Sequence, residues 1–185
     1  MKRLLILGVG AQGSTVAKRM NEEPNVSEII CADYDEKAVN EMGHTLGKAK
    51  AVKLDAGKVE NIVKAAQGVD LVVNALPLRF GENVLKASLE VKANYQDFAA
   101  GEFENVDWVE GIKLMLTEWS DRFKTHGLSA LMSTGSAPGL ANVITREAVE
   151  ALDTCDTIEI HLYEGVTGIQ RFHSFPGNHI GKTGG

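Results

Sequence analysis

LLILGVGAQG, residues 4–13, places three glycines within six positions directly behind an aliphatic run. Glycines gather wherever a chain turns with positive φ, so Gly8, Gly10 and Gly13 mark either a tight turn or a phosphate cradle. The flanking residues discriminate between the two. Leu4 to Leu7 read as a buried strand and Ala11 to Met20 as a helix. A strand–glycine–helix junction aims backbone amides and a helix N-terminus at an anion. Gly8 then permits the turn, Gly10 leaves room for phosphates, and Gly13 lets helix and strand pack closely.

Downstream, strand and helix patterns alternate, as expected of βαβ units around a parallel sheet. VSEIICAD (26–33) reads as the second strand, with Asp35 capping a helix that reaches about Leu46. AVKLD (51–55), DLVVNAL (70–76), ANYQDF (93–98) and GLSALMST (127–134) read as strands three to six. Helices are expected over 59–66, 82–89, 108–124 and 140–152. Trp108, Ile112, Met115, Leu116 and Trp119 would form an apolar core or interface stripe on the longest of them. The fold class is therefore α/β, a Rossmann-type doubly wound, mostly parallel sheet.

Asp33 ends the second strand 20 residues after Gly13, where a carboxylate accepts hydrogen bonds from an adenosine ribose. The next residue is Tyr34, and no arginine follows until Arg79, so the charge that would recruit a 2′-phosphate is missing locally. NAD is expected in preference to NADP. The competing reading is a glycine turn that holds nothing, with Asp33 merely solvated. Asp55 and Ala56, behind the third strand, are placed to approach the adenine, with a helix N-cap as the alternative role for Asp55. Ala75, Leu76 and Pro77 behind the fourth would let a nicotinamide ribose pass close to the backbone.

Composition bounds the partners. The 185 residues are 44% hydrophobic and 24% charged with a formal net charge of −6, which suits a globular chain and disfavours nucleic acid or an anionic membrane. The partner class is a small molecule. Cys31 and Cys155 form no CxxC pair, and the histidines at 44, 126, 161, 173 and 179 form no HxxxH or HExxH pattern, so no metal site is expected. The cysteine usage fits a reducing cytoplasm. Neither a nucleophile elbow nor a segment long enough to cross a bilayer is present in the sequence.

GVGAQG (8–13, including Ala11 and Gln12), DYD (33–35), LDAG (54–57), NALP (74–77), NYQD (94–97) and GSAPGLANVI (135–144) occur together in this order. In them the chain resembles the N-terminal portion of the saccharopine dehydrogenase family, including its L-lysine dehydrogenase-like members. The resemblance implies an NAD(P)-dependent oxidoreductase acting on an amino acid or an N-substituted amino acid. Such a protein joins a dinucleotide-binding domain to a mixed-sheet domain for substrate binding and dimerisation. It places Pro77, Asp97, Pro138 and Gly139 near the chemistry, the last three toward substrate. From the residues alone, Asp97 is a strand-end carboxylate suited to a substrate ammonium, or else an N-cap or surface acid; Pro138 and Gly139 equally suit helix initiation.

Residues 1–153 are assigned to the dinucleotide-binding domain and 154–185 to an incomplete start of the second, α+β domain with an irregular tail. TIEIHLYEGV (157–166) alternates as a strand, with Ile158, Ile160 and Leu162 on the face that needs a partner; self-pairing would make a homodimer. The tail after it has no periodicity, so a truncated or frameshifted form that binds cofactor without turnover is expected. The alternative function is a regulatory NAD-binding module that senses ligand without catalysis; ALP, NYQD and GSAPGLAN together favour the dehydrogenase.

Overall fold

A computed structural model describes residues 1–99 and 101–161. Six strands, β1 (Lys2–Leu7), β2 (Val26–Asp33), β3 (Ala49–Lys53), β4 (Leu71–Asn74), β5 (Asn94–Asp97) and β6 (Ala130–Leu131), form one sheet in the order β3-β2-β1-β4-β5-β6. All five pairings are parallel, so the sheet is Rossmann-like and wholly parallel rather than mostly so among the described residues. The strand order reverses between β1 and β4. That switch point opens a crevice at the C-terminal ends of both strands.

Helices α1 (Ala11–Glu22), α2 (Glu36–Thr45), α3 (Val59–Ala65) and α4 (Gly81–Glu90) are the crossover elements of the first five strands. Their boundaries follow local chemistry. The Asp35 carboxylate accepts from the amides of Lys37 and Ala38 at 2.9 and 3.2 Å and so starts α2 where its position in the sequence predicts. The core has two layers, one on each side of the sheet. Leu5, Leu7, Val72, Leu85 and Tyr95 lie in one, and Leu4, Ile6, Ile29, Cys31 and Val73 in the other. Burial pushes the Cys31 thiol up to about 11, which keeps it a protonated core group.

At the sheet's N-terminal side, Glu28 on β2 receives Arg3 of β1 at 2.7 Å and also pairs with Lys50 of β3. Lys50 first, and then Arg3, hold the Glu28 carboxyl below its ordinary 4.5. A lowered folded-state pKa stabilises the fold above the ordinary carboxylate range, and that contribution disappears as pH falls through the lowered value. Glu28→Gln is therefore expected to cost about 1 kcal/mol at pH 7. Urea titrations of both proteins should show the gap closing below about pH 4.5.

Several expectations need correction. β3 lies two residues earlier than 51–55, because Leu54 turns into the core while its amide still reaches the Asp33 carbonyl. β6 covers only Ala130–Leu131 instead of 127–134. The Ser133 amide donates to the Asp97 carboxylate at 2.6 Å, which takes it out of the ladder. The expected helix 108–124 is found as α5 (Trp108–Leu114), a π-helical turn (Met115–Trp119) and α6 (Ser120–Thr125). The face turned inward is Met115, Trp119 and Phe123, spaced i, i+4, i+8; Trp108 and Leu116 of the expected stripe are exposed.

The last described helix, α7 (Leu140–Glu150), forms as expected but has no buried residue. Residues 157–161 have no strand conformation, and Ile158 and Ile160 are exposed. A β-strand requires a hydrogen-bonding neighbour, and none is present for this stretch among the described residues. Residues 162–166 of the expected strand, and the tail that follows, lie outside the described residues.

Candidate functional site

Gly8 leaves β1 with φ +86°, its amide bonded to the Ala32 carbonyl at 2.8 Å. A Cβ at Gly8 would stand 2.7 Å from the Ala75 carbonyl oxygen and 3.1 Å from Leu76 Cδ2. One at Gly13 would overlap the Gly8 carbonyl oxygen and lie 3.2 Å from Ala75 Cβ. These two glycines therefore lock the turn, α1 and the 75–76 loop together at the switch point. Gly10 is the N-cap of α1 in extended conformation, no side chain caps this helix, and its first turn holds no acidic residue. Ala11, Gln12 and Gly13 begin a helix whose leading amides are free of carboxylate competition, a fit for pyrophosphate.

Asp33 closes the other side of the turn. Its Oδ2 accepts from the Val9 amide at 2.8 Å and its Oδ1 from the Asp35 amide at 3.0 Å. The carboxylate is held against the glycine turn with lone pairs to spare for hydroxyl donors. Tyr34 beside it is 79% exposed, and Lys53, at the paired position on β3, goes to Glu36 at 2.9 Å. Among the described residues, no arginine or lysine is bonded to Asp33.

Asp55 caps a turn, accepting from the Gly57 amide at 2.9 Å; the N-cap of α3 is Lys58, so the helix-cap alternative for Asp55 falls away. Asn83 of α4 donates to the carbonyls of Ala56 and Gly57 at 3.1 and 3.3 Å and fixes that loop. Ala56 itself points into the core. Pro77 follows the Ala75–Leu76 loop and leads into a short 3-10 turn, Leu78–Phe80.

Asp97 is neither an N-cap nor a surface acid. It is 1% exposed, with Oδ2 accepting from the Tyr95 hydroxyl at 2.7 Å and Oδ1 from the Ser133 amide at 2.6 Å. Burial raises its pKa from 3.8 to about 6, against the lowering influence of those two donors. Burial, and then the Asp97 charge, push the Tyr95 phenol well above 10. Tyr95 also accepts from Asn74 Nδ2 at 3.1 Å. Asp97 therefore carries one protein donor on each oxygen and is closed off from solvent, so the expected contact with a substrate ammonium would require the loops over it to open.

Beyond β6, Gly139 takes φ +129° as the N-cap of α7, its amide donating to Asn142 Oδ1 at 3.0 Å. It folds back to bridge Gly135, which in turn lies against the Phe98 carbonyl. Pro138 is thereby carried on a loop that returns to the end of β5. The structure brings Gly8, Gly13, Ala75 and Leu76 into contact, ties Asp33 to the same turn, and joins Asp97 to the loop that leads to Pro138 and Gly139.

Asn74, Tyr95 and Ser133 had no role assigned by sequence reasoning. One signal was available. Tyr95 and Asp97 are two apart on a strand and share a face, and Asn74 is the one polar residue closing an apolar strand, so a buried polar pairing was legible. That Ser133 would join them depends on β6 folding beside β5.

The family model described as "Saccharopine dehydrogenase NADP binding domain" matches residues 4–131. A carboxyaminopropylagmatine dehydrogenase from Synechocystis sp. is 31% identical over 155 residues, covering 81% of this chain and 38% of the relative. A carboxynorspermidine synthase from Vibrio cholerae is 27% identical over 173 residues, 85% of this chain and 42% of the relative. The chain spans about two fifths of these curated relatives. Among solved structures, apo saccharopine dehydrogenase (L-Glu forming) from Saccharomyces cerevisiae shares the fold with TM-score 0.66 at 16% identity, over 82% of this chain and 31% of that one.

Proposed function

The chain belongs to the saccharopine dehydrogenase NADP-binding domain family, and from that membership we propose that it is the cofactor-binding part of an oxidoreductase that uses NAD(H) with an amino acid or N-substituted amino acid. The observation that carries the cofactor half is the Val9 amide bonded to Asp33 at 2.8 Å, which holds at the rim of the glycine turn a carboxylate that no lysine or arginine among the described residues neutralises. The pyrophosphate would lie over Gly8, Gly10 and the first turn of α1, the adenosine ribose against Asp33, and the adenine near Asp55–Ala56. The nicotinamide half would pass Ala75, Leu76 and Pro77.

The substrate half rests on the relatives, whose names describe carboxy-bearing polyamines and related amines. In this reading the nicotinamide supplies hydride exchange at its C4 when bound. This chain's residues orient it: Pro77 on one side, Pro138 and Gly139 on the other, with Asp97 behind the second loop. Positioning and exclusion of water are their contribution. The activity of a protein as long as the relatives is part of the proposal.

Titration calorimetry tests the cofactor assignment. NADH should bind at least about tenfold more tightly than NADPH, since a 2′-phosphate would meet the Asp33 charge with no cation bonded to it. Asp33→Ala should weaken NADH and narrow the ratio to within about threefold. A preference for NADPH in the wild type would overturn the role of Asp33.

A further inference from the structure

Resting on that reading, we propose that Asn74, Tyr95 and Asp97 are positioning residues: one buried hydrogen-bond relay that sets the two loops at the nicotinamide end, 75–77 and 133–139, in a single joint arrangement. The relay has two arms that converge on the Asp97 carboxylate. On one, the Leu76 amide donates to Asn74 Oδ1 at 3.2 Å, Asn74 Nδ2 donates to the Tyr95 hydroxyl at 3.1 Å, and that hydroxyl donates to Asp97 Oδ2 at 2.7 Å. On the other, the Ser133 amide donates to Asp97 Oδ1 at 2.6 Å. The Thr134 amide and hydroxyl both reach the Asp97 carbonyl, and Gln96 Nε2 reaches the Thr134 hydroxyl.

Three features make this a device rather than ordinary core polarity. Asn74, Tyr95 and Asp97 are 4%, 1% and 1% exposed, so the two central links, Asn74 to Tyr95 and Tyr95 to Asp97, are shielded from water, while the outer links to Leu76 and Ser133 are half-buried. Every donation runs toward the carboxylate, so removing one link leaves unpaired groups on both sides of the break. Ser133 has φ +58°, a left-handed conformation that is unfavourable for a serine, and the Asp97 oxygen holds its amide there. Loop 75–77 cannot shift without pulling on the Leu76–Asn74 bond and through it on Tyr95, nor loop 133–139 without pulling Ser133 from Asp97. The two walls of the nicotinamide end thus move together or not at all.

Tyr95→Phe tests this, because it deletes the central hydroxyl and keeps the ring that packs 6.2 Å from Phe123. Tyr95 touches neither loop amide. The relay predicts that NADH binds about tenfold more weakly to the variant of the 185-residue chain. ADP-ribose, which lacks the nicotinamide, should keep its affinity within about twofold. Amide hydrogen exchange should accelerate at Leu76 and Ser133 together. If NADH and ADP-ribose weaken equally, or the two amides loosen independently, or nothing changes, the relay is wrong. If the wild type binds neither NADH nor ADP-ribose, the cofactor reading itself falls and takes the relay with it. Should Tyr95→Phe fail to fold, Asn74→Ser breaks the same arm and carries the same expectations.

Discussion

Gly13→Ala is expected to destabilise the chain by about 3 kcal/mol or more and to abolish measurable NADH binding. The added methyl would overlap the Gly8 carbonyl oxygen and sit 2.9 Å from the Gly8 carbonyl carbon and 3.2 Å from Ala75 Cβ. Two of these atoms are backbone, so no side-chain rotation relieves the contact. Either α1 withdraws from β1 or the turn opens, and both separate the leading amides of α1 from Asp33. Gly47→Ala serves as the control, since a methyl there meets nothing within 4 Å. Urea unfolding and calorimetry on both variants give the answer. A Gly13→Ala protein with wild-type stability would mean that helix and strand are not closely packed at this point.

Asp97→Asn should remove a pH dependence of comparable size. The folded-state pKa of Asp97 is raised to about 6 from 3.8, so the native state holds this proton more tightly than the unfolded chain. Its contribution to stability is therefore complete below about pH 4 and is lost as pH rises through about 6. The loss is about 3 kcal/mol. Tyr95 bonds to this carboxyl, and Glu82 and Glu102 line the same small cavity, with no lysine or arginine lining it among the described residues. Glu28 and Asp70, whose values are lowered, act in the opposite direction, but they are common to both proteins and cancel in the difference. Wild-type stability minus that of Asp97→Asn should fall by this amount between pH 4 and pH 7.5. A difference that stays flat with pH would show that the carboxyl is not held in the buried site described.

Much of the site was readable in advance because its chemistry is local. The glycine spacing, the aliphatic strand before it and Asp33 at the end of β2 lie within the first 33 residues, and each obeys turn or strand rules that need no distant partner. Asp97 reads from the sequence as a strand-end carboxylate for a substrate ammonium, or else as an N-cap or surface acid. A strand-end acid becomes a buried acceptor only when β6 lies beside β5 and brings Ser133 with it, which no spacing within NYQD expresses. The exposed Leu116 has a similar origin. The π-helical turn rotates the downstream face, so that an apolar stripe drawn at 3.6 residues per turn picks partly the wrong side.

By itself, the sequence determined the alternation of strands and helices, the cap of α2, and the pairing of a glycine turn with an acid after the second strand. Those follow from side-chain periodicity and backbone freedom, which act over a few residues. Only the tertiary structure decided that the strands stand in the order β3-β2-β1-β4-β5-β6 and that β6 stops at Leu131. It also decided that no residue of α7 is buried among the described residues, and that Asn74, Tyr95 and Asp97 share one buried relay. The physical reason is that periodicity states which face of an element is apolar, whereas burial and hydrogen-bond partnership belong to whatever the rest of the chain brings against that face.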